Sequence, residues 1–235
     1  MTGKLYGVGV GTGSADSITV KAAKCIETAD MICIPQAQKE KCRAYLIAEQ
    51  TVPGLKDKEC LAFDFKMTRN DSELERMHQS IYQEIRKMLL AGKTIAFLTI
   101  GDPTIYSTFM YIAEKAGAEG FPVEIVSGIP SFVAAAASFG IPLCEKDEEL
   151  HIGTGQSDIE KLMRLPGTKV IMKPGKKLPE IKSVLRRLET ETKSKVYAIS
   201  DCGWPNEVKY CDIEAIPDED GYMTTIIVKD QMQRI

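Results

Sequence analysis

Histidine is scarce in this chain: His78 and His151 are its two copies, isolated from each other and at no ligand-like spacing. A protein-bound structural zinc, or any other metal site, is therefore not expected. Neither a Ser-His nor a Cys-His arrangement is visible, which argues against chemistry through an activated protein nucleophile. The seven cysteines are an odd number without a CxxC pair, as suits a reducing cytosol with mostly buried thiols. Excess basic charge is lacking too: a net charge of −3 gives no global case for nucleic acid or an anionic membrane as partner. Long apolar runs are absent. The stretch from Ile129 to Leu143 is broken by prolines, serines and a glycine and is too short to span a bilayer. The N-terminus enters a strand pattern at once, so no leader is read there and a cytoplasmic location is expected.

What the chain does have is apolar content, 44% over 235 residues, enough for one large domain or two small ones. Strands are predicted over Leu5 to Val10, Met31 to Ile34, Glu59 to Phe63 and Thr94 to Leu98. Helices alternate with them. One is capped by Ser17 and runs to Thr28, with Val20, Ala23, Cys25 and Ile26 as its apolar face. Another starts at the capping box Ser72-x-x-Glu75 and runs to Ala91, with Leu74, Met77, Ile81, Ile85, Met88 and Leu89 at helical spacing and His78 on the polar side. Alternation of this kind predicts a mostly parallel α/β sheet.

The helix after Pro103 fades into Gly117-Ala118-Glu119-Gly120, which marks a junction. Beyond it strands are expected at Val123 to Val126, Val170 to Met172, Val196 to Ile199, Glu207 to Tyr210 and Met223 to Val228. Helices fall at Ser131 to Phe139 and at Leu178 to Leu188, the latter with Ile181, Val184, Leu185 and Leu188 inward. The late strands lie close together, which implies a mixed, partly antiparallel sheet. The fold expected is α/β in two lobes, residues 1–119 and 120–235, with an active-site cleft between them.

Two motifs carry the functional reading. Ile100-Gly101-Asp102-Pro103 ends a buried strand and starts a helical pattern, the place where ligands bind in open α/β sheets. It reads equally as an ordinary αβ corner. Gly7, Gly9, Gly11 and Gly13 alternate after the first strand. Dinucleotide binding needs G-x-G-x-x-G with an acidic residue about 20 positions on. Strict alternation disfavours that, Asp30 precedes its strand rather than ending it, and no Lys-Ser/Thr follows to make a P-loop. Open readings are a tight structural turn or a loop lining a ligand site of another kind.

Taken together, Gly7 to Gly13 followed by Ile18-Thr19-Val20-Lys21-Ala22, the Gly101-Asp102-Pro103 turn, and Val126-Ser127-Gly128-Ile129-Pro130-Ser131-Phe132 resemble the tetrapyrrole methylase family in three ordered motifs. Tyr106-Ser107-Thr108-Phe109-Met110-Tyr111 and Met67-Thr68-Arg69 look most like its C20-methylating branch, which acts on precorrin-2 or its cobalt form in cobalamin synthesis. The resemblance implies S-adenosylmethionine as cofactor, a homodimer, and a donor held in line with a carbon nucleophile. It implies cofactor contacts at Pro35, Ile100, Gly101, Asp102, Ile105, Ser131, Phe132, Met172 and Ala198. Contacts to a substrate bearing eight carboxylates are implied for Gly11, Thr12 and Gly13, with cations Arg43, Lys66, Arg69 and Lys173 and the neighbouring Lys176 and Lys177. Tyr106 is the candidate for contacting the macrocycle or accepting its proton. Thr12 and Ser14 stand where the family usually has proline and aspartate, so no general base is assigned to that loop. Competing readings are another methylase of the family, a methylase of protein or RNA, a cofactor-binding module without catalysis, and a nicotinamide-dependent oxidoreductase.

Overall fold

The computed structural model describes residues 2–65, 70–192, 194–218 and 221–230. The chain divides into two compact units, Met1–Pro130 and Ser131–Ile235. The first is built on five strands: β1 (Lys4–Gly9), β2 (Met31–Ile34), β3 (Glu59–Ala62), β4 (Thr94–Thr99) and β5 (Val123–Val126). All pair in parallel in the order β3-β2-β4-β1-β5. Because β5 pairs with β1, residues 120–130 belong to this unit, and the boundary read from the sequence at Gly117–Gly120 moves past them. The glycines there only end a helix; pairing across β1 decides membership.

Four helices connect the strands: α1 (Val20–Thr28), α2 (Arg43–Thr51), α3 (Asp71–Leu90) and α4 (Phe109–Ala118). Ile81, Tyr82, Ile85 and Leu89 of α3 and Phe109 and Ile112 of α4 pack with Leu5, Cys33, Ile95 and Phe97 in one core. The alternate positions Val8, Ile32, Ile34, Ala96 and Leu98 are equally buried, as both faces of a parallel sheet must be.

Several local expectations shift. Thr19, not Ser17, caps α1 by accepting from the Ala22 N–H at 3.1 Å, and Ser17 donates instead to the Ser14 carbonyl. This leaves Val20 exposed in the first turn rather than on the apolar face. Asn70, not Ser72, caps α3 by accepting from the Glu73 N–H. His78 is not on the polar side. It is buried and stacks on Tyr111 of α4, ring centroids 4.5 Å apart, because the interhelical contact wraps further round α3 than its aliphatic stripe. Burial pulls its pKa below the usual histidine value. Helix α2 has no counterpart among the elements expected from the sequence.

The second unit holds β6 (Leu150–Thr154), β7 (Thr168–Met172), β8 (Lys195–Ser200), β9 (Val208–Tyr210) and β10 (Thr224–Lys229) in the order β6-β7-β10-β8-β9. Only β6 and β7 run parallel; β10 is antiparallel to β7 and β8, and β9 to β8. Its helices are α5 (Ser131–Phe139), α6 (Ile159–Met163) and α7 (Leu178–Thr192). Ile159, Leu162, Ile181 and Leu185 of α6 and α7 share a core with Ile171, Val196, Ala198 and Ile226. The mixed sheet matches expectation, while β6 and α6 are additions to it.

Lys169 is buried in β7 and held by both carboxylate oxygens of Asp230 at 2.6 Å. Asp230 also accepts from the Gly167 N–H, so one side chain anchors the end of β10 to the start of β7.

Candidate functional site

Three loops meet at the carboxyl ends of β1, β4 and β5. In the order β3-β2-β4-β1-β5 the chain leaves β2 toward β3 on one side and leaves β4 toward β5 on the other, so β2 and β4 flank the point where connections diverge, the usual ligand crevice of an open sheet. The glycine run after β1 lies against the Gly-Asp-Pro turn after β4: the Gly101 N–H donates to the Gly11 carbonyl at 2.7 Å, and Gly11 N–H to the Gly101 carbonyl at 3.4 Å. Gly128, after β5, closes the group. A Cβ on Gly9 would stand 2.5 Å from the Gly101 carbonyl oxygen and 2.6 Å from the Gly128 nitrogen. Only glycine lets three backbones come this close. Gly7 meets the ring of Phe109, so its lack of a side chain serves packing inside the sheet. Gly7, Gly9 and Gly11 thus each answer to protein neighbours.

Asp102 lies at the centre of this junction and is buried. One carboxylate oxygen accepts from the Thr104 N–H at 2.8 Å and the Thr104 hydroxyl at 2.6 Å. The other accepts from the Gly128 N–H at 3.1 Å and from the Ser127 hydroxyl. Burial opposes the charge, but hydrogen bonds from Ser127, Thr104 and Gly128 outweigh it, and the pKa lies below the usual carboxylate value. An Asx turn therefore accounts for part of the role of Asp102, and the link to Ser127–Gly128 for the rest. Its two oxygens thus already accept from four donors.

The loop from Ile100 to Thr108 is shaped further by Ser107, whose hydroxyl pairs with Thr99 at 3.1 Å and accepts from the Phe109 N–H. Tyr106 is half-exposed with φ of +49°, a left-handed conformation that costs energy for an aromatic residue and is met where surroundings impose it. Pro35 directly follows β2, and Ile105 is half-buried beside Tyr106. Gly11, Thr12 and Gly13 are all buried, so Ser14 is the exposed residue of that loop, and its hydroxyl accepts from the Asp16 N–H. Arg43 is the first residue of α2 and half-buried. Lys66 and Arg69, with Met67 and Thr68, lie outside the described residues.

In the second unit the carboxyl end of β7 carries Met172 and Lys173. Met172 is buried, and Lys173 is half-buried at φ +50°, with burial drawing its pKa below the usual lysine value. Asp201, just after β8, repeats the left-handed geometry at φ +52°. Ser131 begins α5, and its hydroxyl accepts from Thr225 of β10 at 3.1 Å, so the residue is tied to the sheet. Phe132 is buried. The Ala198 side chain belongs to the core under α6 and α7, because strand alternation turns it away from the face that α5 covers. Lys176 is exposed and Lys177 lies 3.5 Å from Glu180, both as ordinary surface cations. His151 Nε2 stands 3.0 Å from Glu149 without a hydrogen bond.

The structure thus joins Gly11, Gly101 and Asp102, with Ile100 beside them, in one junction. It adds Thr104, Ser127, Ser107 and Thr99, to which sequence reasoning assigns no role. Ser127 carried a signal only in lying within the motif Val126 to Phe132.

Residues 4–217 match the tetrapyrrole (corrin/porphyrin) methylase family, and the chain belongs to it. A probable cobalt-precorrin-2 C(20)-methyltransferase of Methanocaldococcus jannaschii is 39% identical over 184 residues, covering 78% of this chain and 77% of that protein. The cobalt-precorrin-2 C(20)-methyltransferase of Salmonella typhimurium is 27% identical over 248 residues, covering 99% of each. Among solved structures, a cobalt precorrin-4 methyltransferase superposes with a TM-score of 0.72 at 20% identity, covering 96% of this chain and 94% of that one. A uroporphyrin-III C-methyltransferase from Thermus thermophilus, complexed with S-adenosyl homocysteine, gives 0.72 at 19% identity over 96% and 97%. These structures bear on the fold alone.

Proposed function

We propose that the protein is an S-adenosylmethionine-dependent C-methyltransferase acting at C20 of precorrin-2 or its cobalt form. The observation that carries the substrate is the 39% identity to the Methanocaldococcus jannaschii protein over 78% of the chain. The local structure supports the cofactor class. Gly9, Gly101 and Gly128 bring backbone to the carboxyl edge of a parallel sheet, and the ionised Asp102 there provides negative potential suited to a sulfonium. Ile100, Gly101, Ile105, Ser131, Phe132 and Met172 are assigned to the donor by the family resemblance. Pro35, after β2, extends the same edge.

When bound, the donor supplies an electrophilic methyl group. A reduced tetrapyrrole has an electron-rich meso carbon, so the protein's work is alignment to within about 3–3.5 Å and removal of one proton afterwards. Tyr106 is assigned either to contact with the macrocycle or to acceptance of its proton. Lys173, Arg43 and Arg69 are assigned to substrate carboxylates. We further assign a homodimeric, cytoplasmic enzyme; no described helix is long and apolar enough to cross a membrane.

The test is incubation with S-adenosylmethionine and cobalt-factor II or precorrin-2, followed by mass spectrometry. A gain of one methyl group is expected. No gain from a protein that still binds S-adenosylhomocysteine would leave a non-catalytic binding module instead.

A further inference from the structure

We infer that Asp102 serves the cofactor site as a positioning residue: its carboxylate latches the Gly101 turn to Ser127 and Gly128 and makes no contact with the donor. The inference rests on the cofactor assignment above and adds a role within it. Each carboxylate oxygen has two acceptor positions, and all four are filled, by the Thr104 N–H and hydroxyl on one side and by Ser127 and Gly128 on the other. The latch spans the turn after β4 and the loop after β5, two segments that share no hydrogen-bonded strand pair because β1 lies between them. Gly101 in turn bonds Gly11 of the loop after β1. Asp102 therefore sets the mutual spacing of all three loops, and that spacing defines the shape of the edge.

A residue of this kind differs from a contact residue in what its loss does to different ligands. An acceptor for the donor's ammonium acts on the amino-acid tail alone, whereas a latch acts on every ligand that needs the loops in place. Calorimetry on the full chain therefore compares S-adenosylhomocysteine with 5′-methylthioadenosine, which lacks the tail, for wild type, Asp102→Asn, Ser127→Ala and the double variant. Asparagine keeps one acceptor oxygen for Thr104 and replaces the other with a donor facing Gly128 N–H. Asp102→Asn should weaken both ligands by a common factor of about tenfold, as suits loss of charged hydrogen bonds. Ser127→Ala should weaken both less, and the double variant should match Asp102→Asn, since both changes open one latch.

Weakening confined to S-adenosylhomocysteine would make Asp102 a direct contact and overturn the proposal. An unchanged dissociation constant beside a lowered melting temperature would make it a purely structural residue and overturn the proposal equally. Should Asp102→Asn fail to fold, Ser127→Ala decides by the same comparison. A wild-type protein that binds neither ligand overturns the cofactor assignment itself, and the latch with it.

Discussion

At the scale of single residues, the function of this chain depends on side chains that are missing as much as on those present. Gly9 and Gly128 matter because a Cβ on either meets backbone atoms that cannot move aside independently. Gly9→Ala is expected to destabilise the protein by about 1–3 kcal/mol, the range for overpacking a well-filled site. Denaturant unfolding against wild type checks this, and a difference below about 0.5 kcal/mol, the range of ordinary surface substitutions, would mean the loops can separate at little cost. Asp102 was legible as a turn residue from its place between glycine and proline. Its partners Ser127 and Gly128 lie 25 and 26 positions away, and nothing in local spacing indicates them. Ala198 shows the reverse problem: the strand was predictable, but which of its faces is core depends on the helices that cover it.

At the scale of elements, α3 and α4 illustrate how a good periodic signal can still mislead about one position. The aliphatic residues of α3 point into the core as their spacing requires, and His78 joins them through its stack on Tyr111 and its contact with Phe65. Glu75 and Lys115 are its charged neighbours, and they pair with each other. A histidine whose folded pKa is lowered is neutral in the native state and binds a proton more readily once unfolded. Stability is then held above the unfolded value near 6.5 and lost as pH falls through it toward the folded value. Thermal melts from pH 7.5 to 5 should show this decline, and His78→Phe should reduce its slope. Equal slopes would show that other groups govern the acid limb. Helices that the sequence did not reveal are short, α6 with five residues and α2 with nine, and α2 starts after Cys42 without a side-chain cap.

At the scale of the whole molecule, two units each carry their own sheet and core. A ligand that binds the native chain stabilises it by mass action, about 2.7 kcal/mol at one hundred times its dissociation constant. S-adenosylhomocysteine at that excess should raise the melting temperature of the full chain, whereas NAD should leave it unchanged. The opposite pattern would return the glycine run to the nicotinamide reading.

Sequence by itself determined the alternating α/β pattern, the mixed character of the later sheet, and three motifs ordered as in a tetrapyrrole methylase. These are local properties, set by periodicity, turn chemistry and residue order, and they survive without knowledge of neighbours. Tertiary structure decided which unit owns Val123–Val126, that His78 is core, and that the Asp102 carboxylate is filled by Thr104, Ser127 and Gly128. Each of those depends on pairing or hydrogen bonding between segments far apart in the chain. Parallel strands place such segments side by side only once the sheet has formed.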